Sequence, residues 1–296
     1  DHALLPHARA GLYPHDVAMN LRYLDIFPLI QKYQVQPKKS LGQNFLVDPN
    51  GLSKVLKAAE VRPEETVLEI GAGLGSLTYL LAQQAKQVVA VELDKRLIPP
   101  LTDALTGFDN VTIKQGDMLA LSPDALLGAE RYVVVANIPY YITSALIRHL
   151  LEAEHKPTRM VLIVQQEVAE RILARDGKLN MLALSVQVYG KPELKARIPA
   201  GCFYPAPEVD SAVLTIELYP QPLIPAEQLD LFFELAHAGF AQKRKTLRNT
   251  LASGMKKSPA WVEQLLGAAG IDPQRRAETL SMQEWKQLVE AYQQLS

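Results

Sequence analysis

Short apolar runs rich in valine and isoleucine alternate with amphipathic stretches between about residues 50 and 165. Continuous apolar runs bounded by polar residues are typical of strands buried on both faces, and the stretches between them predict helices. The predicted strands are Val67–Ile70, Gln87–Glu92, Val111–Gln115, Tyr132–Ala136 and Met160–Gln165, with two more at Ala183–Tyr189 and Ala212–Leu218. The predicted helices between them are Leu77–Ala85, Leu97–Leu105 and Thr143–Ala153. The pattern predicts an α/β fold with a parallel sheet covered by helices.

The pattern changes beyond residue 220. Pro220, Pro222 and Pro225 predict a linker, because proline ends strands and stiffens connections. Only helical patterns follow, at Ala226–Gln242, Lys245–Ala252, Pro259–Leu266 and Gln283–Leu295. We therefore predict three parts: an N-terminal extension of unknown role (1–34), an α/β domain (35–220) and a small helical domain (225–296).

Composition narrows the class of protein. Of the 296 residues, 48% are hydrophobic and 21% charged, so a sizeable core is expected. The one cysteine, Cys202, cannot form an internal disulfide, and a cytoplasmic location is the default expectation. No apolar run approaches the length of a membrane span, so no membrane association is expected. His2, His7 and His15 are close in sequence, but their irregular spacing does not predict a metal site.

A glycine turn follows the first predicted strand, in the order Glu69-Ile70-Gly71-Ala72-Gly73-Leu74-Gly75. Glycines here allow a tight turn and let a nucleotide-like cofactor approach the backbone. The dinucleotide-binding fingerprint needs its third glycine at the sixth position, where this chain has Ser76. The spacing therefore argues against an NAD-dependent dehydrogenase, which stays an alternative.

Two carboxylates follow later strands. Glu92 ends the second predicted strand, where a carboxylate can accept hydrogen bonds from ribose hydroxyls. Asp117 follows the third predicted strand. The alternatives are a solvated strand end for Glu92 and an ordinary turn residue for Asp117.

Asn137-Ile138-Pro139-Tyr140 follows another buried strand and suggests the chemistry. The lone pair of an adenine N6 amine is delocalised into the ring and must be drawn toward an incoming methyl group. An Asn carbonyl, with backbone carbonyls near a proline, can accept both N6 hydrogens. An aromatic ring can stack on the base, a contact worth about 1–3 kcal/mol. The alternative is a plain turn after a buried strand.

With these motifs the chain closely resembles the ribosomal RNA adenine N6,N6-dimethyltransferase family from about Pro37 to its C-terminus. The likeness also rests on residues 41–46, 165–171, 203–213 and 242–249. It implies a class I S-adenosylmethionine-dependent methyltransferase (Rossmann-like) domain with a small all-helical C-terminal domain. It also implies S-adenosylmethionine as the cofactor, without a metal.

The resemblance assigns roles to individual residues. It implies cofactor contacts for Asn44, Leu46, Gly71, Glu92, Asp117 and Asn137. It places Asn137, Pro139 and Tyr140 in the target-base site as the catalytic group. Phe203 is expected to stack on the flipped base, with a core position as the alternative.

A basic segment predicts the partner. The net charge is only −1, yet residues 240–257 are basic and contain no acidic residue, which favours contact with a phosphate backbone. We expect Lys243, Arg244, Lys245 and Arg248 to bind RNA, with Lys38 and Lys39 as a second patch.

The resemblance makes the expected substrate more specific. It implies transfer of four methyl groups to two adjacent adenosines in the 3′-terminal hairpin loop of 16S rRNA, in the small ribosomal subunit, by a monomer. The alternatives are a large-subunit rRNA methyltransferase of the antibiotic-resistance type and a small-subunit assembly factor. The segment from Lys243 to Asn249 favours the small-subunit enzyme.

Overall fold

The computed structural model describes residues 21–295, apart from Ala129, Asp176 and the side chain of Tyr140. His2, His7 and His15 lie outside the described residues. The strands are β1 (Phe45–Leu46), β2 (Thr66–Ile70), β3 (Gln87–Glu92), β4 (Val111–Gln115), β5 (Tyr132–Asn137), β6 (Arg159–Gln165), β7 (Gly190–Ile198), β8 (Phe203–Tyr204) and β9 (Ser211–Leu218). The helices are α1 (Phe27–Lys32), α2 (Pro49–Ala59), α3 (Ser76–Ala82), α4 (Ile98–Ala104), α5 (Pro123–Leu127), α6 (Thr143–Leu151), α7 (Gln166–Ile172), α8 (Met181–Gln187), α9 (Leu229–Phe240), α10 (Leu247–Gly254), α11 (Pro259–Ala268) and α12 (Met282–Leu295).

A seven-stranded sheet organises the fold in the order β4-β3-β2-β5-β6-β9-β7. The strands from β4 to β6 in this order are paired in parallel, and Glu69 lies between Ala90 and Val135. All five residues of β2 are buried, as expected for a central parallel strand. The carboxyl ends of β2, β3, β4 and β5 meet at one sheet edge, where ligands bind in open α/β sheets. The predicted Rossmann-like fold is confirmed.

The predicted strand Ala183–Tyr189 is wrong. This segment forms the helix α8, and the side chain of Asn180 caps it by accepting a hydrogen bond from the Ala183 amide at 3.0 Å. A short apolar run does not by itself distinguish a strand from a buried helix, and Asn180 was the missed start signal. The strand lies immediately afterwards, as β7.

The chain divides into two compact units. The first contains residues up to Gln166 and Leu194–Thr215, and the second contains Glu167–Glu193 and Ile216–Ser296. The second unit therefore differs from the predicted helical domain, because α7 and α8 join the C-terminal helices. Its core includes the fully buried side chains of Phe232 and Trp285, whose rings meet edge to face at 6.5 Å. No helix among the described residues has the length and apolar character to cross a membrane.

Residues 21–35, which we term the N-terminal strap, pack within the first unit. Ile26 is 1% exposed and belongs to a cluster with Phe45, Leu74 and Leu97. The ring of Phe27 meets that of Tyr204 at 5.5 Å, edge to face. At the end of α1, the Lys32 ammonium pairs with the Asp103 carboxylate at 2.8 Å. Part of the predicted N-terminal extension is thus integrated into the α/β unit.

Candidate active site

A cleft opens at the carboxyl edge of the parallel strands, within the first unit. It encloses about 820 Å³ between protein atoms, counting the part open to solvent. Its walls come from the loop before β1, from the turns after β2, β3, β4 and β5, and from β8. The lining includes seven of the predicted site residues: Asn44, Gly71, Glu92, Asp117, Asn137, Pro139 and Phe203.

Two backbone amides hold Glu92 in place at the end of β3. Oε2 accepts a hydrogen bond from the Gly73 amide at 2.8 Å, and Oε1 accepts one from the Asp94 amide at 2.8 Å. Burial raises the pKa of Glu92, and these amides offset part of the rise. A carboxylate offers about four acceptor positions, so both oxygens retain capacity for a ligand hydroxyl. This arrangement fits the predicted contact with a ribose.

The glycine turn packs against two other walls of the cleft. Gly71 and Gly73 have φ values of +81° and +59°, which favour glycine. A Cβ at Gly71 would lie 2.8 Å from the backbone oxygen of Asn137, and a Cβ at Gly73 would lie 2.9 Å from the Phe45 ring. The missing side chains therefore let this turn touch the Asn137 backbone and the Phe45 ring.

The side chain of Asn137 is oriented by the loop before β1. Its Nδ2 donates to the Asn44 carbonyl at 3.1 Å, and Asn44 Nδ2 in turn donates to the Gly42 carbonyl at 3.3 Å. The Oδ1 atom of Asn137 accepts no hydrogen bond from any described residue. The amide is therefore fixed, and no described residue occupies its acceptor oxygen, in a cleft that Glu92 also lines.

The backbone carbonyls of Ile138 and Pro139, which follow Asn137, differ in their hydrogen bonding. The Pro139 carbonyl accepts from the Ile142 amide at 3.1 Å, within the turn that begins at Tyr140. The Ile138 carbonyl accepts no hydrogen bond from a described residue. Of the backbone carbonyls near the proline, that of Ile138 is thus the available acceptor. The side chain of Tyr140 lies outside the described residues, whereas Tyr141 lines the cleft and is 61% exposed.

Sequence reasoning missed a charged linkage beside Glu92. Asp94 is buried and pairs with the Arg96 guanidinium at 2.5 Å, which holds the pKa of Asp94 well below its usual range. Gln43 donates to Asp94 at 2.9 Å and accepts from the Lys38 amide at 2.7 Å. This linkage joins the loop before β1 to the end of β3. An acidic residue two positions after a strand-end carboxylate was the available signal.

Three other predicted residues occupy different positions around the cleft. Asp117 is exposed, and its Oδ1 accepts a hydrogen bond from the Leu119 amide at 2.9 Å, as expected for a turn residue. It also lines the cleft. Leu46 does not line the main cleft but a second cavity behind the glycine turn. Phe203 is 5% exposed and belongs to the core cluster, and it also lines the cleft. Its position is therefore compatible with stacking on a base and with the alternative core role.

Comparison with known proteins decides the family. Residues 34–294 match the family model for ribosomal RNA adenine dimethylase. A ribosomal RNA small subunit methyltransferase A of Dehalococcoides mccartyi strain CBDB1 is 49% identical over 267 residues, covering 89% of this chain and 91% of the relative. A protein with the same name from Moorella thermoacetica is 44% identical over 269 residues, covering 87% and 93%. The chain belongs to the ribosomal RNA adenine dimethylase family.

Two solved structures in this comparison share the fold. A dimethyladenosine transferase from Plasmodium falciparum is 25% identical with a TM-score of 0.72, covering 84% of this chain and 98% of that one. The 23S rRNA methyltransferase ErmE is 29% identical with a TM-score of 0.69, covering 84% of this chain and 99% of that one. The matched family begins at residue 34, so nearly all of the N-terminal strap precedes the match.

The basic residues predicted to bind RNA lie in the second unit, with Lys243, Arg244 and Lys245 between α9 and α10 and Arg248 within α10. Lys243, Arg244 and Lys245 are exposed, and none forms an ion pair with another described residue. Arg248 differs, because its guanidinium pairs with the Glu263 carboxylate at 2.5 Å. Part of its charge is therefore neutralised within the unit.

A groove in this unit brings further cations to the basic segment. We term it the basic groove; its charged lining residues are Glu167, Arg171, Lys178, Lys243, Lys245, Arg276 and Glu278. Arg171, Lys178 and Arg276 are distant from the 240–257 segment in the chain, so no sequence pattern joined them to it. Because the family modifies ribosomal RNA, a phosphate backbone is the expected ligand of this positively charged groove.

Proposed function

We propose that the protein transfers four methyl groups to N6 of two adjacent adenosines in the 3′-terminal hairpin loop of 16S rRNA, in the small ribosomal subunit. The main support for the proposal is the hydrogen bonding of the Asn137 side chain. Its amide nitrogen is held by the Asn44 carbonyl, while its Oδ1 and the Ile138 carbonyl accept no hydrogen bond from a described residue, and both residues line one cleft. The two acceptors match the two N6 hydrogens of an adenine.

The residues of the cleft fit S-adenosylmethionine as the cofactor. The groups that would hold it are Glu92 at the ribose, Asp117 at the adenine amino group, and Gly71, Asn44 and Asn137 around the remainder, with Leu46 in the cavity behind. The fixed Glu92 carboxylate and the turn without side chains at Gly71 and Gly73 support this assignment. When bound, the cofactor supplies an electrophilic methyl group and its leaving group.

The protein's own residues are proposed to orient the N6 amine of the target adenine for methyl transfer. Acceptance of the N6 hydrogens by Asn137 Oδ1 and the Ile138 carbonyl draws the nitrogen out of conjugation, so that its lone pair can point at the methyl group. Pro139 supports the turn through its engaged carbonyl. Tyr140 and Phe203 are proposed to stack on the base, and Tyr141 is an additional exposed ring in the cleft. Orientation of this kind supplies a large share of catalytic acceleration.

The basic groove and the neighbouring Arg244 are proposed to bind the rRNA backbone. Their cations lack ion-pair partners among the described residues, so phosphate binding displaces only counterions. Arg248 is the weakest candidate of the predicted group because Glu263 already pairs with it. We further propose a cytoplasmic monomer that needs no metal.

Transfer of labelled methyl groups to isolated ribosomal subunits tests the proposal. Unmethylated small subunits should accept label from S-adenosylmethionine, and mass mapping should place dimethyladenosine at two adjacent positions near the 3′ end. Large subunits serve as the second arm, because the fold is also that of the 23S rRNA methyltransferase ErmE. Label confined to large subunits would overturn the assignment of substrate.

A second candidate role is assembly of the small subunit, which the exposed cations would serve without catalysis. Asn137→Ala separates the two, since methyl transfer should collapse while subunit binding survives. An NAD-dependent dehydrogenase is disfavoured, and calorimetry with S-adenosylmethionine and with NAD distinguishes the cofactors directly.

A further inference from the structure

A buried acid lies behind the glycine turn and has no role in the chemistry above. Glu69 is 1% exposed, and its Oε2 makes no hydrogen bond with any described residue. It lines a second cavity with Leu46, Ser76, Leu77 and Ile163. Phe45, Gly71, Gly73 and Asn137 line both this cavity and the main cleft. The acid is therefore separated from the cofactor cleft only by a shared wall.

The surroundings of Glu69 favour its neutral form. An ionised carboxylate among apolar side chains, with an unpartnered oxygen, has a large desolvation cost. The titratable group that acts on Glu69 is Glu92, whose negative charge disfavours a second negative charge. The described residues that form the remaining walls of the cavity, from β1, the start of α3, β5 and β6, contribute no charged side chain.

The pKa agrees with this geometry. Burial raises the pKa of Glu69 to about 8, and the charge of Glu92 adds to the rise. The hydroxyl of Thr78 offsets part of it, although its Oγ1 makes no hydrogen bond of regular geometry. At neutral pH the free protein therefore holds a proton on Glu69.

We propose that binding of the positively charged cofactor releases the proton of Glu69 to solvent, so that Glu69 is a positioning residue whose ionisation is coupled to occupation of the cleft. The inference rests on the proposed use of S-adenosylmethionine. A cation entering the cleft supplies the missing partner for the carboxylate and favours its charged form. The proton on the Glu69 carboxyl passes to the buffer, and the carboxylate keeps the bonding electron pair.

Proton-linked binding has two measurable consequences. Near pH 7, binding should release close to one proton per cofactor. The cofactor should also bind more tightly as pH rises toward 8, by up to about tenfold per pH unit, because less free protein then holds the proton. Glu69→Gln preserves the neutral shape and removes the titration, so it is the matched control for protons released by the cofactor itself.

Isothermal titration calorimetry of S-adenosylmethionine into the full chain tests the proposal. Titrations at pH 7 in phosphate and in Tris, which differ in ionisation enthalpy, give the number of protons released. We expect nearly one more proton from wild type than from Glu69→Gln. The ratio of the wild-type Kd to the variant Kd should fall between pH 6 and pH 8. Glu69→Asp, which can still titrate, should restore part of the release.

Two other outcomes overturn the inference and separate it from the proposed function. Equal proton release by wild type and Glu69→Gln would refute the coupling while leaving the cofactor assignment intact. Absence of S-adenosylmethionine binding by the folded wild type would refute both. If the variants fail to fold, difference infrared spectroscopy of wild type decides, because the band of a buried protonated carboxyl should disappear when the cofactor is added. Persistence of that band would contradict the proposal.

Discussion

The first unit holds key groups of its cleft by hydrogen bonds, whereas the second leaves the cations of its basic groove exposed. In the cleft, Glu92 and Asn137 each have named hydrogen-bond partners that determine where their free acceptors lie. In the basic groove, the ammonium groups of Lys243 and Lys245 form no ion pair with a described residue. The function of the cleft therefore depends on the geometry of single groups, and that of the groove depends on summed charge. Changes in the cleft should be abrupt, and changes in the groove should be graded and sensitive to salt.

The largest effect is expected at Asn137. Asn137→Ala removes the acceptor for the N6 hydrogen and should lower single-turnover methyl transfer by about 1,000-fold, similar to the loss of one preorganised polar group in other enzymes. The Kd for S-adenosylmethionine should change by less than about tenfold, since Glu92 and Asp117 remain. Retention of a tenth of the wild-type rate would contradict the geometric role.

A smaller but still large effect concerns stability and pH. The pKa of Glu69 is about 8 in the fold, above the ordinary value, so the unfolded chain releases this proton at lower pH. The stabilisation is fully present below the ordinary pKa and is lost as pH rises toward 8. Between pH 5 and 7.5 the loss should reach about 3 kcal/mol. Chemical denaturation of wild type and Glu69→Gln measures it; equal pH dependence in both proteins would refute it.

The N-terminal strap supports a wall of the cleft, because Ile26 packs in the cluster that contains Phe45. Ile26→Ala and Leu29→Ala both truncate buried strap residues and should each cost about 2–3 kcal/mol of unfolding free energy. Ile26 packs in the cluster of Phe45, which borders Gly73, whereas Leu29 packs in the larger core. Only Ile26→Ala should also weaken S-adenosylmethionine binding, by severalfold at a temperature where both variants are folded. If Ile26→Ala and Leu29→Ala changed the Kd for S-adenosylmethionine equally, the strap would have only a structural role.

The smallest effect is expected in the basic groove. Lys243→Ala combined with Lys245→Ala should weaken binding to small subunits by about tenfold and reduce the salt dependence of log K by about two. The Kd for S-adenosylmethionine should not change. Arg248→Ala is the matched control, and its effect should be smaller because Glu263 already pairs with the guanidinium. A larger effect from Arg248→Ala would reverse this ranking.

The sequence predicted the cleft better than the groove for a physical reason. The cleft residues Glu92, Asp117 and Asn137 stand at the ends of strands, so hydrophobic periodicity located them. The hydrogen bond between Gln43 and Asp94 was not predicted, because it joins residues that are distant in the chain. The basic groove was only partly predicted, since Lys178 and Arg276 are brought to Lys243 by folding. The error at Ala183–Tyr189 arose because a short buried apolar run is compatible with helix and strand.

In the proposed function, this chain dimethylates two adjacent adenosines of small-subunit rRNA through Asn137. The most direct test is mass mapping of rRNA from a strain lacking the gene, complemented with wild type or with Asn137→Ala. Wild type should restore dimethyladenosine at two adjacent positions near the 3′ end of 16S rRNA, and Asn137→Ala should not. Restoration by the variant, or a mark found only in large-subunit rRNA, would contradict the account.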